Sequence, residues 1–314
     1  MATMDPMYYA RKYRELEVPI INDDNEITGY EKVNFNKYRM HQGWRDGVFP
    51  PGQMEFVNAV NTYASNLYKQ GKRLRVNVRN IWDTAIFLTP DNYRDPLYNS
   101  IITRAVQAFS GKGSPEDVQL TLQLAARCGG ATKGLQQYCD EKVDTYSRLG
   151  LDCNGFVGNY LCYRDSKFSW HFSTIDTNPP IHGNMGINTI CNLLGAKPVS
   201  NVNEMLIPRM YVMAMVDKTG TVIDGGWETV GHIMVTQARH WGFSPVPAAP
   251  KEYLGKHYLS YLGVEATPGV GLADFKYSIL NIVNSGKSEP TDGVATVWRD
   301  KVFGHIPVKI YPVP

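Results

Sequence analysis

Along the first half of the chain, apolar residues recur at three- and four-residue spacing, the period of a helix with one buried face. From Glu55 the stripe Phe56, Val57, Val60, Tyr63, Ala64, Leu67 and Tyr68 follows Pro50-Pro51 and is closed by Gly71. Asp95-Pro96 supplies an N-cap and a proline at the first helical position, and Leu97, Ile101, Ile102, Ala105, Val106 and Phe109 carry the next stripe as far as Gly111. The signal recurs at Ser114-Pro115-Glu116-Asp117, where acids in the first turn suit the helix dipole and Val118, Leu120, Leu122 and Leu124 follow before Gly129-Gly130. A fourth helix is predicted over Lys133 to Tyr146, whereas the polar, Asn/Asp-rich segment before about residue 50 shows no clear period.

After about residue 205 the pattern shortens to β-type runs. Arg209 to Val216, a turn at Asp217 to Gly220 and Thr221 to Ile223 predict a hairpin. Further strands are predicted at Gly231 to Gln237, Phe275 to Val283, Val294 to Arg299 and near Ile306 to Tyr311. Helices followed by an antiparallel sheet make an α+β protein. Internal repeats, low-complexity tracts and coiled-coil heptads are not evident.

The chain has 314 residues, with 32 Lys+Arg against 30 Asp+Glu and a formal charge of +2, too balanced for a dedicated nucleic-acid binder. A hydrophobic fraction of 43% with 20% charged residues predicts a packed chain, in one large domain or two smaller ones. Met1 to Glu17 is polar or charged throughout, unlike a Sec signal, and no run approaches the ~18–20 apolar residues of a membrane span. Cys128, Cys139, Cys153, Cys162 and Cys191 contain no C-x-x-C pair, which argues against structural zinc, and their odd number argues against a disulfide framework. Phe109-Ser-Gly-Lys-Gly-Ser114 lacks Walker spacing and reads as a helix-ending loop, and the basic run Lys69 to Arg79 reads as solvated loop and strand.

Cys153 stands apart from the other thiols. In Leu149-Gly-Leu-Asp-Cys-Asn-Gly-Phe-Val-Gly-Asn-Tyr-Leu161 it opens a short helical pattern whose apolar face is Phe156, Val157, Tyr160 and Leu161. A first-turn thiol meets unsatisfied N–H groups and the positive dipole end, which favour thiolate and could hold an oxyanion. Gly155 and Gly158 cost about 1 kcal/mol each against Ala, tolerable where a neighbouring backbone comes close. A thiol nucleophile needs a base, and His232 in Gly231-His-Ile-Met-Val235 begins a strand with Met234 and Thr236 on its face. His171 and His240 are the rival histidines.

Asp152-Cys-Asn-Gly-Phe-Val157 resembles the Asp-Cys-Ser-Gly-Leu-Val nucleophile motif of NlpC-like papain-fold cysteine peptidases. Gly231-His-Ile-Met-Val235 is similar to their Gly-His-Val-Gly-Ile histidine strand, and the chain order agrees. The chain departs from the motif at Asn154, by a long insertion over Lys167 to Asn203, and by a proline-rich loop at Pro245 to Pro250. The resemblance implies a papain-like α+β fold, with the nucleophile helix packed on an antiparallel sheet over residues 131–314, and an N-terminal helical region over 1–130 for delivery, regulation or structure. It also implies a Cys153–His232 mechanism without cofactor or metal, with Tyr146, Asp152 and Asn154 bordering the substrate and Asn284, or less favourably Asn281, orienting the imidazole. The implied substrate is an amide of bacterial peptidoglycan peptide, cut by an endopeptidase or amidase. With no Sec signal, the expected setting is a soluble protein reaching the wall or periplasm by another route, as a phage lysis enzyme or an antibacterial effector with an immunity or inhibitor partner, and otherwise the cytoplasm. Acyl transfer to an amine or lipid, with Trp170 and Phe172 lining an acceptor pocket, and a silent binding module are the other readings.

Overall fold

The computed structural model describes residues 5–40, 49–78, 81–86, 96–165, 186–224, 231–246, 251, 255–285, 289, 291–301 and 305–314. Asp95, His171, Trp170, Phe172 and much of the expected insertion lie outside the described residues.

The segment before residue 50 carries regular structure. Asp5 caps α1 (Pro6–Arg14) by accepting from the Met7 N–H at 2.8 Å, with Pro6 in the first turn. Tyr9, Ala10 and Tyr13 are its buried face. An antiparallel hairpin follows, β1 (Leu16–Ile21) and β2 (Ile27–Val33). The Asp5-Pro6 start is the same cap-plus-proline signal that marks Ser114-Pro115, so the sequence held the clue.

Next come α2 (Gln53–Lys69), the hairpin β3 (Leu74–Val78) and β4 (Ile81–Ile86), α3 (Pro96–Val106) and α4 (Pro115–Arg127). Ser114 and Asp117 form a reciprocal capping box at the start of α4. The helix predicted over 133–146 is shorter: α5 (Leu135–Asp140) ends where Glu141 turns extended and holds Arg148 by an ion pair at 2.5 Å. Helix α6 (Cys153–Arg164), which opens on Cys153, and α7 (Ile187–Leu194) complete the helical part.

The C-terminal strands overturn the expected papain-like α+β fold. β5 (Tyr211–Met215), β6 (Ile233–Pro245), β7 (His257–Thr267), β8 (Gly271–Ile282), β9 (Val294–Arg299) and β10 (His305–Pro312) close into an antiparallel barrel, in the order β10-β5-β6-β7-β8-β9. Closure comes from β10, which pairs with β9 on one edge and with β5 on the other, as in Val308 against Met215 and Ala295. It removes the open edges an isolated sheet would expose. Met213, Met234, Leu259, Tyr261, Phe275, Tyr277, Ile279, Val297, Val308 and Ile310 fill one buried cluster. The alternate residues Val212, Ala214, Ile233, Val235, Val264 and Ala266 face outward into a second cluster under the helices.

That second cluster also contains Tyr9, Tyr13, Phe56, Phe109, Leu122, Phe156 and Tyr160. The division expected at residue 130 therefore has no break in the packing beneath it. Tyr9 meets the rings of Phe156 at 5.9 Å and Tyr160 at 5.8 Å, which sets α1 against α6. Buried on nearly every side, α6 lacks the single apolar face its sequence pattern suggested. It packs on β6 and β7, with its N-terminus toward the start of β6.

Candidate active site

Three stretches of backbone meet just ahead of Cys153. Leu151 pairs in parallel with Tyr38, its N–H donating to Lys37 O at 2.9 Å and its carbonyl accepting from Arg39 N–H at 3.0 Å. The Asp152 N–H donates to Gly111 O at 3.0 Å. Arg39, with no exposed surface, ties these stretches together by donating from Nε to Phe109 O at 2.5 Å and from Nη1 to Ser147 O, with Asp144 as its carboxylate partner at 3.3 Å. This buried guanidinium fixes the loop from which the thiol is launched.

Gly111 and Gly155 allow that approach. Gly111 has φ +78°, and a Cβ there would run into Arg39 O. A Cβ on Gly155 would collide with the Gly111 carbonyl, so the close approach that justifies a glycine in the helix is met by this loop. Asp152 caps α6, accepting from the Gly155 N–H at 2.6 Å. Lys112, from the loop first read only as a helix end, reaches Asp152 Oδ2 and donates to Asn154 Oδ1 at 2.5 Å, while Asn159 Nδ2 donates to its carbonyl at 2.8 Å. Burial pushes the Asp152 carboxyl up, while Lys112 and the Gly155 N–H pull the other way.

Two of the residues expected to border the substrate have partners within the protein. Asp152 is buried and fully engaged as a helix cap and ion-pair partner, and Asn154 is held by Lys112. Tyr146, the third residue expected to border the substrate, is half-buried, with its ring edge-on to Tyr38 at 5.8 Å. Tyr38 is the added neighbour. Burial first, then the charges of Cys153 and Asp152, push its phenol up, so it remains an O–H donor beside the thiol.

His232 immediately precedes β6 and is buried. Its Nε2–H donates to Glu265 Oε2 at 2.8 Å, and Cys153 lies close enough to act on the charge of the ring. Burial opposes a charged imidazole, but the hydrogen bonds and charges of Cys153 and Glu265 outweigh it and raise His232 from 6.5 to about 10. Glu265 has no exposed surface and is bound on three sides: by His232, by Arg299 Nη1 at 2.9 Å to Oε1, and by Tyr277 OH at 3.3 Å to Oε2. Burial alone would raise this carboxyl, yet His232 and Arg299 hold it below its ordinary value.

The third polar residue is thus a glutamate on β7, and the expected Asn284 is corrected. Asn284 lies exposed beyond the end of β8, and Asn281 is exposed within that strand. His240 lies farther along β6, exposed, with its ring 6.2 Å from that of Tyr261. Gly263 makes room for the arrangement, because a Cβ there would sit 2.7 Å from the Tyr277 ring whose hydroxyl reaches Glu265. Among the described residues no group of three or more His, Cys, Asp or Glu could hold a metal ion, and no helix is long and apolar enough to cross a membrane.

A thiol at a helix start, an imidazole close to it and a buried carboxylate hydrogen-bonded to that imidazole are the groups that could activate a nucleophile. The first-turn N–H of Cys153 has no intrahelical carbonyl to meet and can serve a developing oxyanion. Comparison with protein-family models, with curated proteins and with solved structures finds no match to this chain.

Proposed function

We propose that the protein is a cysteine hydrolase that cleaves an amide through Cys153, with His232 as proton carrier and Glu265 orienting the imidazole. The observation that carries this reading is the buried His232–Glu265 pair, hydrogen-bonded at 2.8 Å beside the buried Cys153 that opens α6. Sulfur attacks the amide carbonyl and His232 holds the thiol proton. The Cys153 N–H steadies the oxyanion, and the imidazolium gives its proton to the departing amine as the C–N bond breaks. Water, deprotonated by the now neutral imidazole, then attacks the thioester and releases the acid, restoring the thiol.

The substrate class rests on the motif resemblance of Asp152 to Val157 and Gly231 to Val235, which points to peptide amides of bacterial peptidoglycan. The test is digestion of purified peptidoglycan, with released fragments identified by mass spectrometry. Wild type is expected to release peptides, Cys153→Ala none, and His232→Ala ~10²–10⁴-fold less. Release that persists in Cys153→Ala would refute the mechanism. A thioester formed on Cys153 that amines discharge much faster than water would replace hydrolysis by acyl transfer.

A further inference from the structure

The carboxylate behind His232 is shared. Glu265 gives Oε2 to the imidazole and to Tyr277, while Oε1 receives Arg299 at 2.9 Å. Arg299 pairs directly across from Tyr277 on the β8–β9 ladder, so both donors reach Glu265 from neighbouring positions. A hydrogen-bonding account alone would favour a neutral donor in this place, because a guanidinium held largely out of water is costly to desolvate. Arg299 Nε, moreover, is buried with no hydrogen-bond partner. The arrangement gives up a hydrogen bond and retains a positive charge.

We propose that Arg299 is a positioning residue of the thiol site: by sharing the Glu265 carboxylate, it limits the negative charge felt by His232 and so sets how readily the imidazolium gives its proton to the leaving amine. The inference rests on the reading of Cys153 and His232 as the reacting pair. Among the described residues, the charged and titratable groups that act on His232 and Glu265 are Cys153 on α6, Tyr277 on β8 and Arg299 at the end of β9, with Asp152 and Tyr38 beside Cys153 and Asp300 beside Tyr277. With the guanidinium in place, the charge that the Glu265 carboxylate presents to the imidazole is offset. Removing the guanidinium leaves that charge uncompensated, so the site binds the His232 proton more tightly, and a tighter proton slows departure of the amine.

The experiment is an NMR titration of the full-length protein with ring-labelled histidine, the His232 signal being assigned by its loss in His232→Gln. Arg299→Gln keeps a donor and removes the charge, and it is expected to move the His232 titration upward by about one unit. Arg299→Lys keeps the charge, loses the fork, and is expected to leave the titration within a few tenths of wild type. An unmoved titration in Arg299→Gln, or an equal shift in Arg299→Lys, overturns the proposal. If Arg299→Gln does not fold, Arg299→Met removes the charge at similar length and is read in the same way, an unmoved titration overturning the proposal. The titration uses no substrate, so failure to cleave peptidoglycan would sink the proposed function without touching this result.

Discussion

At the scale of single residues, the pH behaviour of His232 is the most exposed consequence of the site. Its folded value of about 10 lies above the ordinary 6.5, so the stabilisation it supplies is complete below about 6.5 and is lost as pH rises through about 10. Urea unfolding of wild type is therefore expected to weaken between those values, and His232→Gln to show a flatter profile; identical slopes would remove the charged imidazole from the account. Glu265→Gln leaves the half-buried Arg299 without its buried carboxylate partner, and a loss of about 3–5 kcal/mol is expected in the same measurement. Cys153 and His232 were legible in the sequence because a helix-opening thiol and a strand-opening histidine sit in short recognisable runs. Glu265 was not, because a charged residue inside a buried strand carries no local signal, and the amide offered in its place, Asn284, lies exposed past β8.

At the scale of elements, α6 and β7 show where pattern reading succeeds and where it fails. β9 was located from its sequence, and the α4 cap was visible in Ser114 and Asp117. β7 was missed because it is buried on both faces: Leu259, Tyr261 and Glu265 on one side, Val264 and Ala266 on the other. Such a strand loses the alternation that marks one with a solvent face. For α6, helix propensity alone says that Gly155→Ala should stabilise by about 1 kcal/mol. Because the new methyl would strike the Gly111 carbonyl, the expected result is a destabilised protein with slower alkylation of Cys153, read by urea unfolding and mass spectrometry. A more stable Gly155→Ala variant would mean that the loop at Gly111 does not clamp the helix.

At the scale of the whole molecule, the N-terminal half is part of the site. Tyr38, Arg39 and Lys112 all converge on the start of α6, and one apolar cluster runs from Tyr9 to Val313. A fragment of residues 131–314 is expected to lack cooperative unfolding by circular dichroism, and a fragment that unfolds cooperatively with a reactive Cys153 would contradict this integration. The sequence showed helices before strands, but barrel closure depends on β10 meeting β5 across a long separation, which no local period encodes. The central claim is that Cys153 is activated by His232. Its most direct test is site-resolved alkylation by iodoacetamide near pH 7, with each cysteine quantified by mass spectrometry. Burial raises Cys128 and Cys191 to about 12 and pushes Cys139 and Cys162 up as well, so these thiols serve as internal references. The account predicts that Cys153 reacts fastest of the five, at least tenfold ahead of the references as an order of magnitude, and falls to their level in His232→Ala. Equal rates for Cys153 and the buried thiols, or a rate indifferent to His232→Ala, would contradict it.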